Sequence, residues 1–221
     1  MAQPTMPAQA LRTALESDDE SVRLQAALAA GRSPAREYVD VLVDRCAVEP
    51  DFYVRDMLTW ALTCHDSSVV VPRLLTELGS DVPQARAQAL HTLSKIGDPG
   101  TWPAISASLL QDPDDEVARA AWRTAAVLVP ADEVTALAQT LATQFTRGDR
   151  DVQLSLSRAL AALGDGATAA IARAMTSLEP GVRAHAIATD RLRQDPEADF
   201  DAAIAEAQRV FTLRGAPLVN D

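Results

Sequence analysis

The chain is poor in several things that particular folds and activities require. Aromatic side chains make up 4% of its 221 residues, so a core drawn from 48% apolar residues must consist mostly of alanine, leucine and valine. Such small side chains suit helices that approach closely, and they ill suit a sandwich of aromatic-rich strands. Lysine occurs once, at Lys95; the other 19 of the 20 basic residues are arginine, which reads as compositional bias. Against 31 acidic residues these leave a net charge of −11. A duplex-binding surface draws its affinity from neutralising phosphates, so this balance argues against nucleic acid as a partner. No run approaches the roughly 20 apolar residues that a bilayer span needs. The opening "MAQPTMPAQ" is neutral and proline-broken, unlike a secretory signal. A cytoplasmic, non-membrane protein is expected. The two cysteines, Cys46 and Cys64, fall in separate helical segments, which predicts reduced, buried thiols.

Recognisable chemistry is equally scarce. There is no G-x-S-x-G elbow and no glycine-rich phosphate loop, since the nine glycines sit mainly at turns. His65, His91 and His185 lie far apart along the chain, and Cys46 and Cys64 are placed at opposite ends of one hairpin. Zinc ligands must converge within about 2 Å of one point, so no metal site is expected. Catalytic and cofactor-binding residues are likewise expected to be none.

What the chain does have is a repeat. "DPDDEVARAAW" (112–122) returns in altered spelling as "SDDESVRLQAALAA" (17–30), "EPDFYVRDMLTWAL" (49–62) and "EPGVRAHAIA" (179–188). Aligned on a small apolar anchor, the copies fall at Val22, Val54, Ala85, Val117, Val152 and Val182, spaced by 32, 31, 32, 35 and 30 residues. Arg23, Arg55, Arg86 and Arg183 follow the anchor by one place. Asp19, Asp51, Asp114 and Asp149 precede it by three, and Ala26, Leu58, Ala89, Ala121, Leu156 and Ala186 follow it by four. A period of this length marks stacked supersecondary units.

Each unit reads as two helices. The acids sit where a second helix starts, capping free N–H groups and facing the positive end of the helix dipole. Ser17 with Glu20 has capping-box spacing, and Pro113 and Pro180 stand where a missing N–H costs nothing. Glycines in "KIGDPG" (95–100) and "ALGDGA" (162–167) come just after helix ends. The expected fold is all-α: a right-handed α–α superhelix of six hairpins plus a C-terminal capping helix. The hairpins are placed at about 7–32, 34–65, 66–98, 99–129, 130–165 and 166–195. The cap at 198–214 aligns Phe200, Ile204, Ala207 and Phe211 on one face. Residues 1–6 and 215–221 are expected to be disordered.

"KIGDPGTWPAISASLLQDPDDEVARAAW" resembles the HEAT repeat, in particular the short HEAT-like variety shared with phycobilin lyase chains. Pro103, Ile105, Leu109, Asp114, Val117 and Ala121 match the pattern, while Ala118 stands where arginine is usual. "EPDFYVRDMLTWALT" with "QALHTLSKIGD" is more weakly similar to the HEAT-repeat portion attached to MerR-type DNA-binding heads in high-GC bacteria. That kinship would make this chain an interaction part lacking the DNA reader, with a transcriptional regulator as a partner. The resemblance also implies two enzyme alternatives, a DNA alkylpurine glycosylase and a bilin lyase. For the first, Trp60 beside Asp56 is a faint echo of the required aromatic and carboxylate.

The leading expectation is a non-enzymatic scaffold that binds a protein or peptide along the concave face of its second helices. The acidic excess favours a basic partner by steering. Candidate contacts on that face are Met57, Trp60, Cys64, His91, Arg119, Arg123 and Arg158, with Trp60 and Trp122 open to either a binding or a packing role. Asp19, Arg23, Asp51, Arg55, Arg86, Asp114, Asp149 and Arg183 are read as a structural ladder, each arginine bonding the acid of a neighbouring turn.

Overall fold

The computed structural model describes residues 6–197 and 199–214, with side chains to residue 209. Of the expected tails at 1–6 and 215–221, all but Met6 lie outside the described residues, as does the side chain of Phe211. Every regular element among the described residues is helical. Packing divides the chain into two compact units, residues 1–128 and 129–221.

The first unit contains α1 (Ala8–Leu15), α2 (Glu20–Arg32), α3 (Tyr38–Cys46), α4 (Phe52–Thr63), α5 (Ser67–Glu77) and α6 (Pro83–Ile96). A 3₁₀ turn (Pro99–Ala104), α7 (Ala107–Leu110) and α8 (Asp115–Leu128) complete it. The helices pair as hairpins. The second helices α2, α4, α6 and α8 then pack one on the next, as do the first helices α1, α3 and α5. The second unit holds α9 (Val134–Ala142), α10 (Arg150–Ala162), a 3₁₀ turn (Gly164–Ala167), α11 (Thr168–Met175), α12 (Pro180–Gln194) and α13 (Phe200–Arg214). There α10 packs on α12, α9 on α11, and α13 covers α12.

The repeat register explains the burial. Ala26, Leu58, Ala89, Ala121, Leu156 and Ala186, four places after each anchor, are all buried. Four of them are alanines, which lets neighbouring helices come close. Trp122 supplies bulk where the alanines leave space: it is fully buried and donates its indole N–H to the Leu110 carbonyl at 2.8 Å.

Four of the six second helices start on a capping acid, whereas α6 starts after Val82 and α12 after Glu179, neither with a side-chain cap bond. Asp19, Asp51, Asp114 and Asp149 accept backbone N–H bonds from Ser21, Val54, Glu116 with Val117, and Asp151 with Val152, at 2.8–3.1 Å. Ser17 is not the cap of α2: its hydroxyl accepts the N–H of Asp19 at 3.2 Å, and Asp19 does the capping. The shorter, charged acceptor wins the first-turn donors. Gly97 and Gly164 take left-handed φ values of 69° and 57° at helix ends, as the glycine pattern predicts.

The fourth hairpin departs from expectation. Its first helix breaks into the 3₁₀ turn and the four-residue α7. Pro103 lacks an N–H and its ring crowds the carbonyl four residues back, which disfavours a continuous helix across Pro99–Leu110, although α5 runs on through Pro72.

The second unit is closed by α13, which lays Phe200, Ala203, Ile204 and Ala207 on Ala184 and Ala188 of α12. His185 sits in the same layer, edge-on to Phe145 and Phe200 with centroids 4.8 and 5.7 Å away. The Thr146 N–H donates to its Nδ1 at 3.1 Å, leaving Nε2 to donate toward the Gln153 carbonyl at 3.1 Å or Ser157 Oγ at 3.0 Å. Thr146 is thereby held at φ 73°, a left-handed conformation costly for a β-branched residue.

Burial pushes the His185 pKa down to about 4, against the usual 6.5. The unfolded chain therefore binds a proton that the fold refuses between those values. Stability is full above pH 6.5 and is lost as pH falls toward 4, by about 3 kcal/mol from this one group. In His185→Gln, the drop in melting temperature between pH 7 and pH 4.5 should be smaller than in the parent, although the variant starts lower. An equal acid-induced drop in both proteins would refute the assignment.

Candidate functional site

The residues one place after the anchors build a recurring clasp. Arg23, Arg55, Arg86 and Arg183 each turn back and donate Nη1 to a carbonyl six residues earlier, those of Ser17, Glu49, Ser80 and Ser177, at 2.5–2.9 Å. The side chain of that same earlier residue accepts the N–H two places on: Ser17 from Asp19, Glu49 from Asp51, Ser80 from Val82, Ser177 from Glu179. The ladder therefore runs differently from the sequence expectation. Its aspartates are helix caps, and the ion pairs go to other acids.

Arg23 meets Glu49 through two bonds of 2.9 Å, and Arg86 meets Asp112 through two of 3.0 Å. Each pair joins one hairpin to the next. Where a serine occupies the earlier position, as at Ser80, the preceding arginine has no carboxylate to reach. Arg55 accordingly makes only its backbone bonds among the described residues.

The second helices of the first unit frame an open groove of about 510 Å³. Phe52 and Arg55 enter it from α4, Gln84, Gln88 and His91 from α6, and Glu116, Arg119 and Arg123 from α8. Of the seven candidate contacts, the structure brings together His91, Arg119 and Arg123. Arg158 is exposed on α10 of the other unit.

Met57 is half-buried, and Trp60 keeps 39% of its surface while lying flat over Gly31 of α2. A methyl group added at Gly31 would stand 2.3 Å from the indole ring, so this glycine is what lets the tryptophan dock. Trp60 is thus partly packing and partly surface. Cys64 is exposed, contrary to the expectation of two buried thiols, because α4 ends there and the side chain falls outside the stack. Cys46 is buried, and burial pushes its thiol up to about 12, which leaves it unreactive.

The groove sets Arg55, Arg119 and Arg123 against Asp114 and Glu116, a cationic balance in an acidic protein. Burial and then the like charge of Arg123 and of Lys95 lower the His91 pKa. Arg123, though exposed along much of its length, is itself lowered first by burial and then by Arg119.

Two exposed aromatics, of which Phe52 lines the groove, escape a reading of the sequence. Phe52 and Tyr53 open α4 with 65% and 74% of their surfaces exposed, edge to face at 5.6 Å. One signal points to them: both sit in the first turn after the capping Asp51, ahead of the buried anchor Val54, in a chain with few aromatics to spare.

Stacked helical hairpins with this clasp define an α-helical repeat protein. The family model for HEAT repeats matches residues 2–63, which span the first two helical hairpins. No curated protein matches the chain. Three solved structures are similar to it over most of its length. An engineered protein is 20% identical, covering 92% of this chain and 98% of its own, with a TM-score of 0.47. The complex of CpcE and CpcF of phycocyanin lyase from Nostoc is 17% identical, covering 95% and 96%, at 0.40. Human deoxyhypusine hydroxylase in complex with glycerol is 15% identical, covering 92% and 93%, at 0.45. At such identities and TM-scores, nothing these proteins bind or catalyse transfers to this chain. No helix among the described residues is long and apolar enough to cross a membrane.

Proposed function

We propose that the chain is a non-enzymatic scaffold that holds a protein or peptide in the groove across α4, α6 and α8. The observation that carries this reading is the groove itself, where exposed Phe52 adjoins His91, Arg119 and Arg123 on packed helices. Aromatic and arginine side chains are the residue types that most often anchor protein interfaces. Helix-borne side chains are also held in place before a partner arrives, which limits the ordering cost of binding. Met57, Trp60 and Cys64 extend the surface along α4 on this reading.

Affinity purification with the parent, Phe52→Ala and Arg123→Ala, together with mass spectrometry, tests it. A partner recovered by the parent and depleted by both variants, at unchanged melting temperature, is the expected result. A partner recovered equally by all three would move the interaction off the groove and refute the reading.

A further inference from the structure

The charges around the groove are unevenly matched. Asp114 is engaged as the cap of α8. Glu116 contacts Arg119 Nη1 at 2.7 Å, with its own side chain 69% exposed. Arg119 Nε is nevertheless buried and has no hydrogen-bond partner. Arg123, one helical turn further on, pairs with no carboxylate among the described residues. Like charges four places apart on a helix repel, and the exposed Glu116 offsets this only in part. Two forked donor groups with free N–H bonds, side by side in a groove wall, match the planar geometry of carboxylates.

We propose that the groove's occupant is an acidic peptide segment, with carboxylates held by Arg119 and Arg123 and an apolar side chain resting on Phe52. This deepens, and rests on, the reading of the groove as the binding surface. It also reverses the partner's sign: the net charge of −11 points to a basic ligand, but the surface offered for contact is cationic. A nucleic-acid duplex is the poorer match. Duplex binding needs a long basic track, whereas Asp114 and Glu116 line the groove among these few arginines. Phe52 and Tyr53 likewise favour a ligand with apolar side chains.

The test is selection from a random-peptide display library against the full chain. The synthesised hits are then measured by fluorescence anisotropy on the parent, Arg119→Ala, Arg123→Ala and Phe52→Ala, each checked for unchanged helicity and melting temperature. Hits rich in Asp and Glu with one apolar residue are expected. Each arginine removed should weaken their binding by about tenfold or more. Basic or neutral hits that still depend on Phe52 would overturn the acidic ligand while leaving the groove as the binding surface. Hits indifferent to all three substitutions, or no hits, would overturn both. A short DNA duplex that binds through Arg119 and Arg123 where acidic peptides do not would also overturn the proposal.

Discussion

Replacing Glu49 with alanine is expected to destabilise the first unit by about 3–5 kcal/mol, measured as its loss of resistance to urea or heat. Glu49 is fully buried, and all its acceptor positions are taken. Oε1 accepts from Arg23 Nη2 and the Asp51 N–H at 2.9 and 3.0 Å; Oε2 accepts from Arg23 Nε and Arg45 Nε at 2.9 and 2.7 Å. Burial alone would raise its pKa, but the bonds from Arg23, Asp51 and Arg45 outweigh that and hold it below the usual carboxylate range. It is therefore charged in the fold. Its contribution is present above the unfolded value and is lost as pH falls through the lower, folded one.

Removing the carboxylate strands Arg23, which is itself buried, without a counter-charge. The double variant Arg23→Leu with Glu49→Leu removes both charges and should be much less unstable than Glu49→Ala alone. If the single variant were no worse than a typical surface change, the clasp would carry no structural weight.

Ala121→Asp is the second large effect, and it should prevent the first unit from folding. Ala121 is wholly shielded from water, in the layer where α8 packs on α6. A carboxylate there has no buried cation waiting for it, and an unpaired buried charge costs several kcal/mol. That is comparable to the whole stability of a small domain, commonly about 5–15 kcal/mol. Circular dichroism of the variant should show lost helicity, whereas Ala126→Asp, at a half-buried position of the same helix, should stay folded. Normal melting of Ala121→Asp would mean the hairpin register is wrong.

That register is readable from sequence because it rests on a single periodic requirement. Ala121 and its five counterparts must be small or apolar for the helices to approach, and Asp19, Asp51, Asp114 and Asp149 must cap the second helices. Both demands are local and recur every 30–35 residues, so the pattern survives variation at other positions. The clasp is only half legible. Arg23 and Arg86 are visible as a series, but their carboxylate partners, Glu49 and Asp112, lie 26 residues on, outside the aspartate column. Only stacking reveals that the two columns meet.

The site is the least legible part. His91 and Arg123 hold the same register place, six after the anchor, and the structure gathers them with Arg119, one turn before Arg123. Arg158 shares their register position but belongs to the other unit. Phe52 and Tyr53 are easily missed because an aromatic in an alanine-rich repeat invites a packing role. His185 shows the converse: its register position is exposed at Gln25 and only half-buried at Met57 and Gln88, but here Phe200 of α13 packs on it.

The alternation of acid and serine in the clasp makes the joints of the first unit unequal before salt. The joint sealed by Glu49 lies beyond the reach of dissolved ions. The next one along has Gln84 bonded to the Cys46 and Glu49 carbonyls. Its ion pairs, however, from Arg73 to Asp40 and Asp44 of α3, are made at the surface, where a screening length of about 8 Å at physiological salt dulls them. Concentrated electrolyte should thus loosen the middle of the stack while its outer pairs stay shut.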